Sequence, residues 1–209
     1  IGLSDLSLDT IEKYLNSKHF SLMWPIMAII LAISRGGSQF AGEIQNGTIG
    51  LLLSQPVERW RIFAAKYLAG LITIIVFVVV STFGSIPLAY AFGFDSHPII
   101  LVSAAILLTL FMWSVYSLAV MLSVWANEKG TVYALTGSIM IFMYVVYIVS
   151  LLTDSLSGLK YYSLFHYFDT QSVLATGHIG WESYAVFGGL IVATSIAAIC
   201  RFLQRDVSV

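Results

Sequence analysis

The sequence has little charge and almost no cysteine. Charged residues make up 10% of its 209 residues and hydrophobic residues 58%, whereas ordinary soluble domains carry about 25% charged residues. A formal net charge of -1 gives no basic footprint, which excludes nucleic acid as an expected partner. The single cysteine, Cys200, excludes an internal disulfide and a thiolate metal cluster. The composition therefore predicts an integral membrane protein in contact with lipid.

Long apolar runs predict how often the chain crosses the membrane. A spanning helix needs about 20 predominantly apolar residues. We predict one all-α domain over residues 1–209, a polytopic membrane helical bundle with five visible spans. Because Arg35 interrupts the first of these, we expect that helix to continue through Gly42, with Arg35 reaching the lipid headgroups. The predicted spans are residues 20–42, 62–94, 98–126, 130–153 and 181–203.

The distribution of lysine and arginine predicts the orientation of the bundle. When alternate loops are grouped, one side holds seven basic residues and the other three, and the more basic side is expected to face the cytoplasm. This places segment 43–61 and tail 204–209 inside. An amphipathic connector, 1–19, and a loop with short helices, 154–180, lie outside. Because a chain that begins outside needs an earlier crossing, we expect six spans in the full chain. The seven are Arg35, Arg59, Arg61, Lys66, Lys129, Arg201 and Arg205, and the three are Lys13, Lys18 and Lys160.

The polar segment between the first two predicted spans has a pattern of its own. Asn46-Gly47 is a strong turn signal, and Thr48 is a plausible N-cap for a short helix that runs to Ser54. Apolar side chains of this helix would be costly to leave in water, which indicates that they dock on a partner. The alternative is an ordinary polar loop between spans. The apolar side chains are those of Ile49, Leu51, Leu52 and Leu53.

The chain then returns to the membrane. We expect Pro56 to occupy the first position of the next helix, and Glu58 to lie favourably near the positive N-terminal end of that helix. Basic and aromatic residues follow, as is typical of a membrane interface. The anchor predicted at this point comprises Arg59, Trp60, Arg61 and Lys66.

This segment resembles the cytoplasmic loop of ABC transporter permeases of the ABC-2 class. The matching residues are Glu43, Gly47, Thr48, Leu52, Leu53, Ser54, Pro56, Val57, Arg59 and Lys66. The stretch from Ser163 to Gly177 also resembles the outer-loop region of bacterial and archaeal members. In that family the cytoplasmic loop is a coupling helix that sits in a cleft of a separate nucleotide-binding subunit.

The resemblance implies two partners. One is an ABC ATPase subunit that carries ATP and Mg, and the other is a second permease chain, identical or related. In this interpretation Glu43 contacts a donor on the ATPase, Gly47 permits the turn and the leucines fill the cleft. The coupling residues implied are Glu43, Gly47, Thr48, Leu51, Leu52 and Pro56.

Two absences favour the same function. No ionisable residue lies in the middle of the four clearest spans, whereas ion-coupled carriers place such groups there. The chain also has no G-x-x-x-x-G-K-[ST] phosphate loop. We therefore expect no cofactor and no catalysis in this chain, and energy comes from elsewhere or none is used. The separate ATPase that the resemblance implies would supply it. Together with these absences, the resemblance implies ATP-driven transport, with export favoured over import, in a bacterial or archaeal cytoplasmic membrane.

Two other functions fit parts of the sequence. A membrane-embedded enzyme would need a polar cluster, and the outer loop offers one. Its spacing matches no defined zinc site and its aromatic neighbours favour packing, so no metal is expected. A channel would need a filter sequence or a charged pore lining, and neither is visible. The outer-loop cluster comprises His166, Asp169, His178 and Glu182.

Overall fold

The computed structural model describes residues 24–91 and 98–204. Within these ranges the chain forms α-helices joined by short turns, with a 3-10 helix at Asp154–Tyr162 and no β-strand. The predicted connector 1–19 and residues 205–209 of the predicted tail lie outside the described residues. The helices are α1 (Trp24–Ser38), α2 (Ala41–Gln45), α3 (Ile49–Leu53), α4 (Arg59–Ala91), α5 (Pro98–Trp125), α6 (Lys129–Leu152), α7 (Leu164–Tyr167), α8 (Thr170–Thr176) and α9 (Trp181–Gln204).

Four of these helices, α4, α5, α6 and α9, are long and apolar enough to cross a membrane. The shortest of them, α6 and α9, have 24 residues each. At a rise of about 1.5 Å per residue they extend about 36 Å, which exceeds a hydrocarbon core of roughly 30 Å. The all-α polytopic bundle predicted from the sequence is therefore confirmed for the described residues.

The first predicted span is broken where the sequence predicts a continuous helix. Helix α1 ends at Ser38 after 15 residues, a turn occupies residues 39–40, and the chain resumes as the short helix α2. The prediction that one helix continues through Gly42 is wrong. The described part of α1 extends only about 22 Å at the rise of an α-helix, so the fifth span stays a prediction.

A buried serine of α5 explains the break. The backbone N–H groups of Phe40 and Ala41 donate hydrogen bonds to Ser123 Oγ at 3.1 and 2.8 Å. The Ser123 hydroxyl donates in turn to the Gly37 carbonyl oxygen at 2.9 Å. A hydroxyl offers one donor and two acceptor sites, so this side chain is fully used. Backbone groups that an intact helix would satisfy within itself are satisfied here by a neighbouring helix.

Helix α5 is the centre of the bundle. It is the most buried of the spanning helices, and it packs against α1, α4, α6 and α9. Phe111 and Tyr116 on α5 are fully buried. Helix α1 comes unusually close to it at Gly36, where a Cβ atom would lie 2.6 Å from the Cβ of Ala119. Only glycine at position 36 permits this approach without a displacement of one helix.

One end of the bundle carries most of the positive charge. The ring of Phe202, late in α9, lies 4.8 Å from the ring of Phe40 and 5.9 Å from that of Phe63. The backbone N–H of Lys129 donates to Gln45 Oε1 at 3.3 Å. These contacts bring the end of α9 and the starts of α4 and α6 beside the turn after α1. The described basic residues at this end are Arg35, Arg59, Arg61, Lys66, Lys129 and Arg201, and Lys160 lies in the loop at the opposite end.

The loop between α6 and α9 folds back onto that opposite end. The Ser163 hydroxyl donates to the Met143 carbonyl of α6 at 2.8 Å. The Ser103 hydroxyl of α5 donates to the Gly177 carbonyl at 2.6 Å. The loop, with its 3-10 helix and the short helices α7 and α8, is thereby fixed to the spanning helices as a cap.

Candidate functional site

The polar segment after α1 is a compact turn held by one carboxylate. Lys66 Nζ, on α4, donates to Glu43 Oε1 at 2.8 Å, and the Thr48 hydroxyl donates to the other oxygen of the same carboxylate. The two charged side chains are 19% and 30% exposed, Lys66 being the more buried. Charge-assisted hydrogen bonds are roughly twice as strong as neutral ones, and shielding from water reduces screening. The pair therefore fixes the turn to α4.

These contacts also set the charge of Glu43. The hydrogen bond from Lys66 and that from Thr48 hold the pKa of the Glu43 carboxyl below its ordinary value, although burial acts in the opposite direction. Glu43 is therefore ionised at physiological pH, and the ion pair is present there. Within its own chain the Glu43 carboxylate already binds Lys66 and Thr48. The predicted contact of Glu43 with a donor on the ATPase stays a prediction.

Gly47 gives the turn its shape. Its φ of 71° lies in the left-handed region, which glycine enters without the steric penalty that a Cβ atom brings. The Gly47 N–H donates to the Ile44 carbonyl at 3.0 Å, and the Thr48 N–H donates to the Glu43 carbonyl at 2.9 Å. The turn predicted from Asn46-Gly47 is present. Thr48 occupies the N-cap position of α3, but its hydroxyl makes no capping hydrogen bond and binds Glu43 instead.

The apolar side chains of α3 do not form one exposed face. Ile49 is buried at 5% exposure, whereas Leu51 is 71% exposed and Leu52 is half-buried. Leu53 is also predicted to belong to the docking surface, but its side chain is outside the part that the structure describes. Ile49 is therefore covered by its own chain, whereas most of the Leu51 side chain is accessible. The docking surface predicted from the sequence is correspondingly smaller than four side chains.

Helix α4 begins later than predicted. It starts at Arg59, and Pro56 lies in the preceding turn, so the prediction that Pro56 occupies the first helical position is wrong. A tight turn in which the Val57 N–H donates to the Gln55 carbonyl at 2.7 Å separates the proline from the helix. The Glu58 carbonyl accepts the first helical hydrogen bond, from the Arg61 N–H at 2.9 Å.

The residues at the start of α4 divide into two groups. Trp60 Nε1 and Arg61 Nε donate to Glu58 Oε2 at 2.8 and 2.9 Å, and the Arg61 guanidinium lies 5.5 Å from the centre of the Trp60 ring. These side chains are exposed, as is Arg59. Lys66 instead belongs to the ion pair with Glu43. The anchoring role of Arg59, Trp60 and Arg61 stays a prediction.

Tyr67, the residue after Lys66, joins three helices, and sequence reasoning missed it. Its hydroxyl lies within hydrogen-bond distance of Ser117 Oγ on α5, at 2.6 Å, and of Ser195 Oγ on α9, at 2.8 Å. Trp113 Nε1 donates to the same oxygen at 2.7 Å. The only signal in the sequence is that polar residues occur in otherwise apolar spans, where they tend to bond across helices.

A second tyrosine extends this network to the start of the break after α1. Gln39 Nε2 donates to Tyr116 Oη at 3.3 Å, and the Tyr116 hydroxyl donates to the Tyr67 carbonyl at 2.9 Å. A Cβ atom on Gly70 would overlap the Tyr116 hydroxyl. The turn at Gln39 is therefore linked by polar contacts to the buried centre of the bundle.

Comparison with known protein families identifies the class of this bundle. Residues 2–207 match the family described as ABC-2 family transporter protein. The chain belongs to the ABC-2 transporter family. A comparison with curated proteins found no match. The chain is accordingly an integral multi-pass membrane protein and a permease subunit of an ABC transporter, a class of subunit that generally associates with an ABC ATPase.

The outer loop of this ABC-2 permease does not gather the side chains of the metal alternative. Within residues 24–91 and 98–204, no group of three or more His, Cys, Asp or Glu side chains could hold a metal ion. Asp169 Oδ1 accepts from the Ser172 N–H at 3.1 Å. His166 packs edge-on against the rings of Tyr161 and Tyr167, both at 5.1 Å. Burial, and then the nearby positive charge of Lys160, lower the pKa of His166. In this loop His166 therefore packs among aromatic rings and Asp169 caps α8.

Proposed function

We propose that this permease is the membrane subunit of an ATP-driven exporter, and that segment 43–61 docks on a separate ATPase subunit that binds ATP and Mg. The observation that carries the proposal is the exposure of Leu51 on a short helix at the basic end of the bundle, next to a turn that an ion pair fixes to α4. A permease without a phosphate loop needs such a contact if ATP hydrolysis is to drive it.

The location of Leu51 argues against lipid as its cover. Most other exposed large apolar side chains belong to spanning helices, where hydrocarbon surrounds them. Helix α3 instead lies in the connection between α1 and α4, beside the described residues that carry six of the seven described basic side chains. Basic residues collect on the cytoplasmic side of membrane proteins. A soluble subunit in the cytoplasm can therefore reach Leu51.

The mounting of α3 suits a part that transmits force. A docking helix on a flexible loop would absorb the motion of its partner. Here Thr48, at the start of α3, donates to the Glu43 carboxylate, and that carboxylate contacts Lys66 of α4 at 2.8 Å. A partner that binds one conformation of the permease more tightly shifts the population toward that conformation. ATP-driven closure of two ATPase subunits would thus act on two permease chains, identical or related.

Site-directed cross-linking tests the docking surface. Cys200 is the single cysteine, so Cys200→Ser provides a cysteine-free background for Leu51→Cys. In native membranes treated with a thiol-to-amine cross-linker, we expect one product that contains an ATPase with a phosphate loop, identified by mass spectrometry. Ser157→Cys is the matched control, because Ser157 is exposed in the 3-10 helix at the opposite end of the bundle. Equal cross-linking to the ATPase from both positions, or none from position 51, would contradict the proposal.

A functional test uses the same side chain. Leu51→Asp places a charge in the proposed contact and should lower permease-stimulated ATPase activity at least tenfold in reconstituted vesicles. Ser157→Asp, which adds the same charge at an exposed position of the 3-10 helix outside the docking segment, should leave the activity unchanged. The direction of transport is tested separately with oriented vesicles. An exporter should drive substrate into inside-out vesicles when ATP is supplied. Accumulation in right-side-out vesicles alone would show import.

A further inference from the structure

A large cavity lies between α1, α6 and the outer loop. Its volume is about 700 Å³, which falls within the range of roughly 300–1,000 Å³ typical of sites for small organic molecules. On α6 its wall extends from Gly137 to Leu151, which corresponds to about 21 Å along an α-helix. The cavity is separate from the docking segment, since none of residues 43–61 lines it.

The walls of the cavity are apolar along its length. Ile26, Ile29, Ile30 and Ile33 line it from α1, and their spacing places them on one face of that helix. Met140 and Ile141 line it from α6. Ile30 and Ile141 are also largely exposed at the surface of the bundle. Because hydrocarbon surrounds this part of a membrane protein, an apolar molecule can enter the cavity sideways from the lipid.

The polar groups are confined to the end near the outer loop. They are the side chains of Tyr144, Tyr147, Asp169 and Thr170. Asp169 is the one charged residue among those that line the cavity, and no ion pair involves it among the described residues. One carboxylate oxygen accepts the Ser172 N–H. The cavity therefore carries a net negative charge at this end that its lining does not neutralise.

Aromatic rings surround the same end. Phe165 and Phe168 line the cavity beside Tyr144. The Phe165 ring packs edge-on against Tyr144 at 5.1 Å, and the Phe168 ring stacks on Phe111 at 4.5 Å, so the rings are held in place. Ring faces attract cations, and quaternary ammonium groups are recognised by aromatic cages. The exposed Asp169 lines the same cavity as these rings. A carboxylate and aromatic rings in one lining favour a large, weakly hydrated cation over a metal ion.

We propose that this cavity binds a lipophilic organic cation, with its apolar body along the isoleucines of α1 and its positive charge between Asp169 and the aromatic rings. This inference rests on the proposed transport function, for which it names a substrate class. An anionic lipid fits poorly, because its headgroup would lie beside Asp169. A neutral lipid would leave that carboxylate without a charged partner.

The test compares two probes of the same shape and opposite charge. Tetraphenylphosphonium is a lipophilic cation and tetraphenylborate is the corresponding anion. Equilibrium dialysis of radiolabelled tetraphenylphosphonium against the purified full chain in detergent, with empty micelles subtracted, measures saturable binding. We expect saturation at one site per chain, with no competition from tetraphenylborate beyond its effect on empty micelles. No ATPase is present, so failure of the docking proposal would leave this result unchanged.

Two variants locate the site. Asp169→Asn should weaken binding about tenfold through loss of the charge contact, whereas Glu182→Gln, a carboxylate outside the cavity, should not. Gly137→Leu should abolish binding by filling the cavity, because no atom lies within 4 Å of a Cβ at this position. Gly130→Leu is the matched control on the same helix, with equally open surroundings and no part in the cavity.

The outcomes separate the proposal from its alternatives. Saturable binding that Asp169→Asn weakens and Gly137→Leu abolishes supports it, provided that each variant elutes and melts as the unmodified chain does. No saturable binding by the unmodified chain would overturn it, as would saturable binding that neither variant changes. Tetraphenylborate binding that is as tight as that of the cation would show an apolar site without charge preference, and would also overturn it.

Discussion

The contact between Glu43 and Lys66 can be removed from either side, which makes its contribution measurable. Glu43→Gln keeps the shape of the side chain and an oxygen that can accept from Thr48, but removes the charge. Lys66→Met keeps the apolar stem and removes the ammonium group. Together with the double variant they form a double-mutant cycle, which isolates the pairwise energy from the other effects of each substitution.

The geometry sets the magnitude expected. The two charged atoms lie 2.8 Å apart, and both side chains are less than one-third exposed. Fully exposed ion pairs contribute about 0.2–1 kcal/mol, whereas breaking a buried pair costs about 3–5 kcal/mol. For a contact between these limits we expect a pairwise energy of about 1.5 kcal/mol, and about 2 kcal/mol for either single substitution.

Hydrogen exchange measures this energy where it acts. The pair holds the turn between α2 and α4, so its loss should increase local opening there without unfolding the bundle. A loss of about 2 kcal/mol corresponds to roughly 30-fold faster exchange, which peptides covering residues 41–58 should show. Peptides from the buried part of α5 serve as the internal control and should exchange at an unchanged rate.

Two results would refute this reasoning. A pairwise energy below about 0.3 kcal/mol would place the contact among exposed pairs, despite its burial. Faster exchange in α5 as well as in the turn would show that the pair supports the bundle as a whole. The pair would then not act as a local support for the turn before α3, and the proposed transmission of force from α3 to α4 would lose its basis.

Three further predictions concern the same end of the bundle. Because the pKa of Glu43 is lowered in the folded chain, its stabilisation is present above the ordinary carboxyl pKa and is lost as pH falls through the lowered value. Hydrogen-exchange rates of the turn in the unmodified chain and in Glu43→Gln, compared at the same pH, should therefore converge in acid. Gly47→Ala should destabilise the turn by about 1–2 kcal/mol and speed its hydrogen exchange accordingly. The cause is backbone strain alone, because no atom lies within 4 Å of a Cβ at this position. Gly47→Asn should destabilise the turn by less. Ser123→Ala should lower the melting temperature, because two backbone donors lose their acceptor at about 1–3 kcal/mol each. Ser123→Gly has the same loss plus added backbone freedom and should lower the melting temperature further. An unchanged melting temperature would contradict the role given to Ser123.

The spans and the turn could be predicted because their causes are local. The apolar runs of α4, α5, α6 and α9 satisfy their own backbone hydrogen bonds, so composition and length suffice. The turn at Gly47 likewise depends on one residue that tolerates φ of 71°. These features need no knowledge of what lies beside them in the fold.

The features that the sequence did not predict depend on distant residues. The break after α1 depends on Ser123, which meets Phe40 and Ala41 only when α5 lies against α1. In the sequence this serine is one small polar residue in an apolar run. The separation of Lys66 from the predicted anchor follows in the same way from Glu43, 23 residues earlier. Local sequence patterns predict which helix a residue belongs to. Which side chain it contacts depends on how the helices pack against one another.

The break after α1 bears directly on how a docked ATPase would move this permease. An unsupported break acts as a hinge, and a hinge would absorb motion of α3 before it reached the membrane. Here Ser123 joins both sides of the break to α5 through Gly37 and Ala41. Lys66 joins the turn to α4, and the adjacent Tyr67 contacts α5 and α9. Motion of α3 would therefore be transmitted to the centre of the bundle. The walls of the cavity between α1 and α6 would then move relative to that centre.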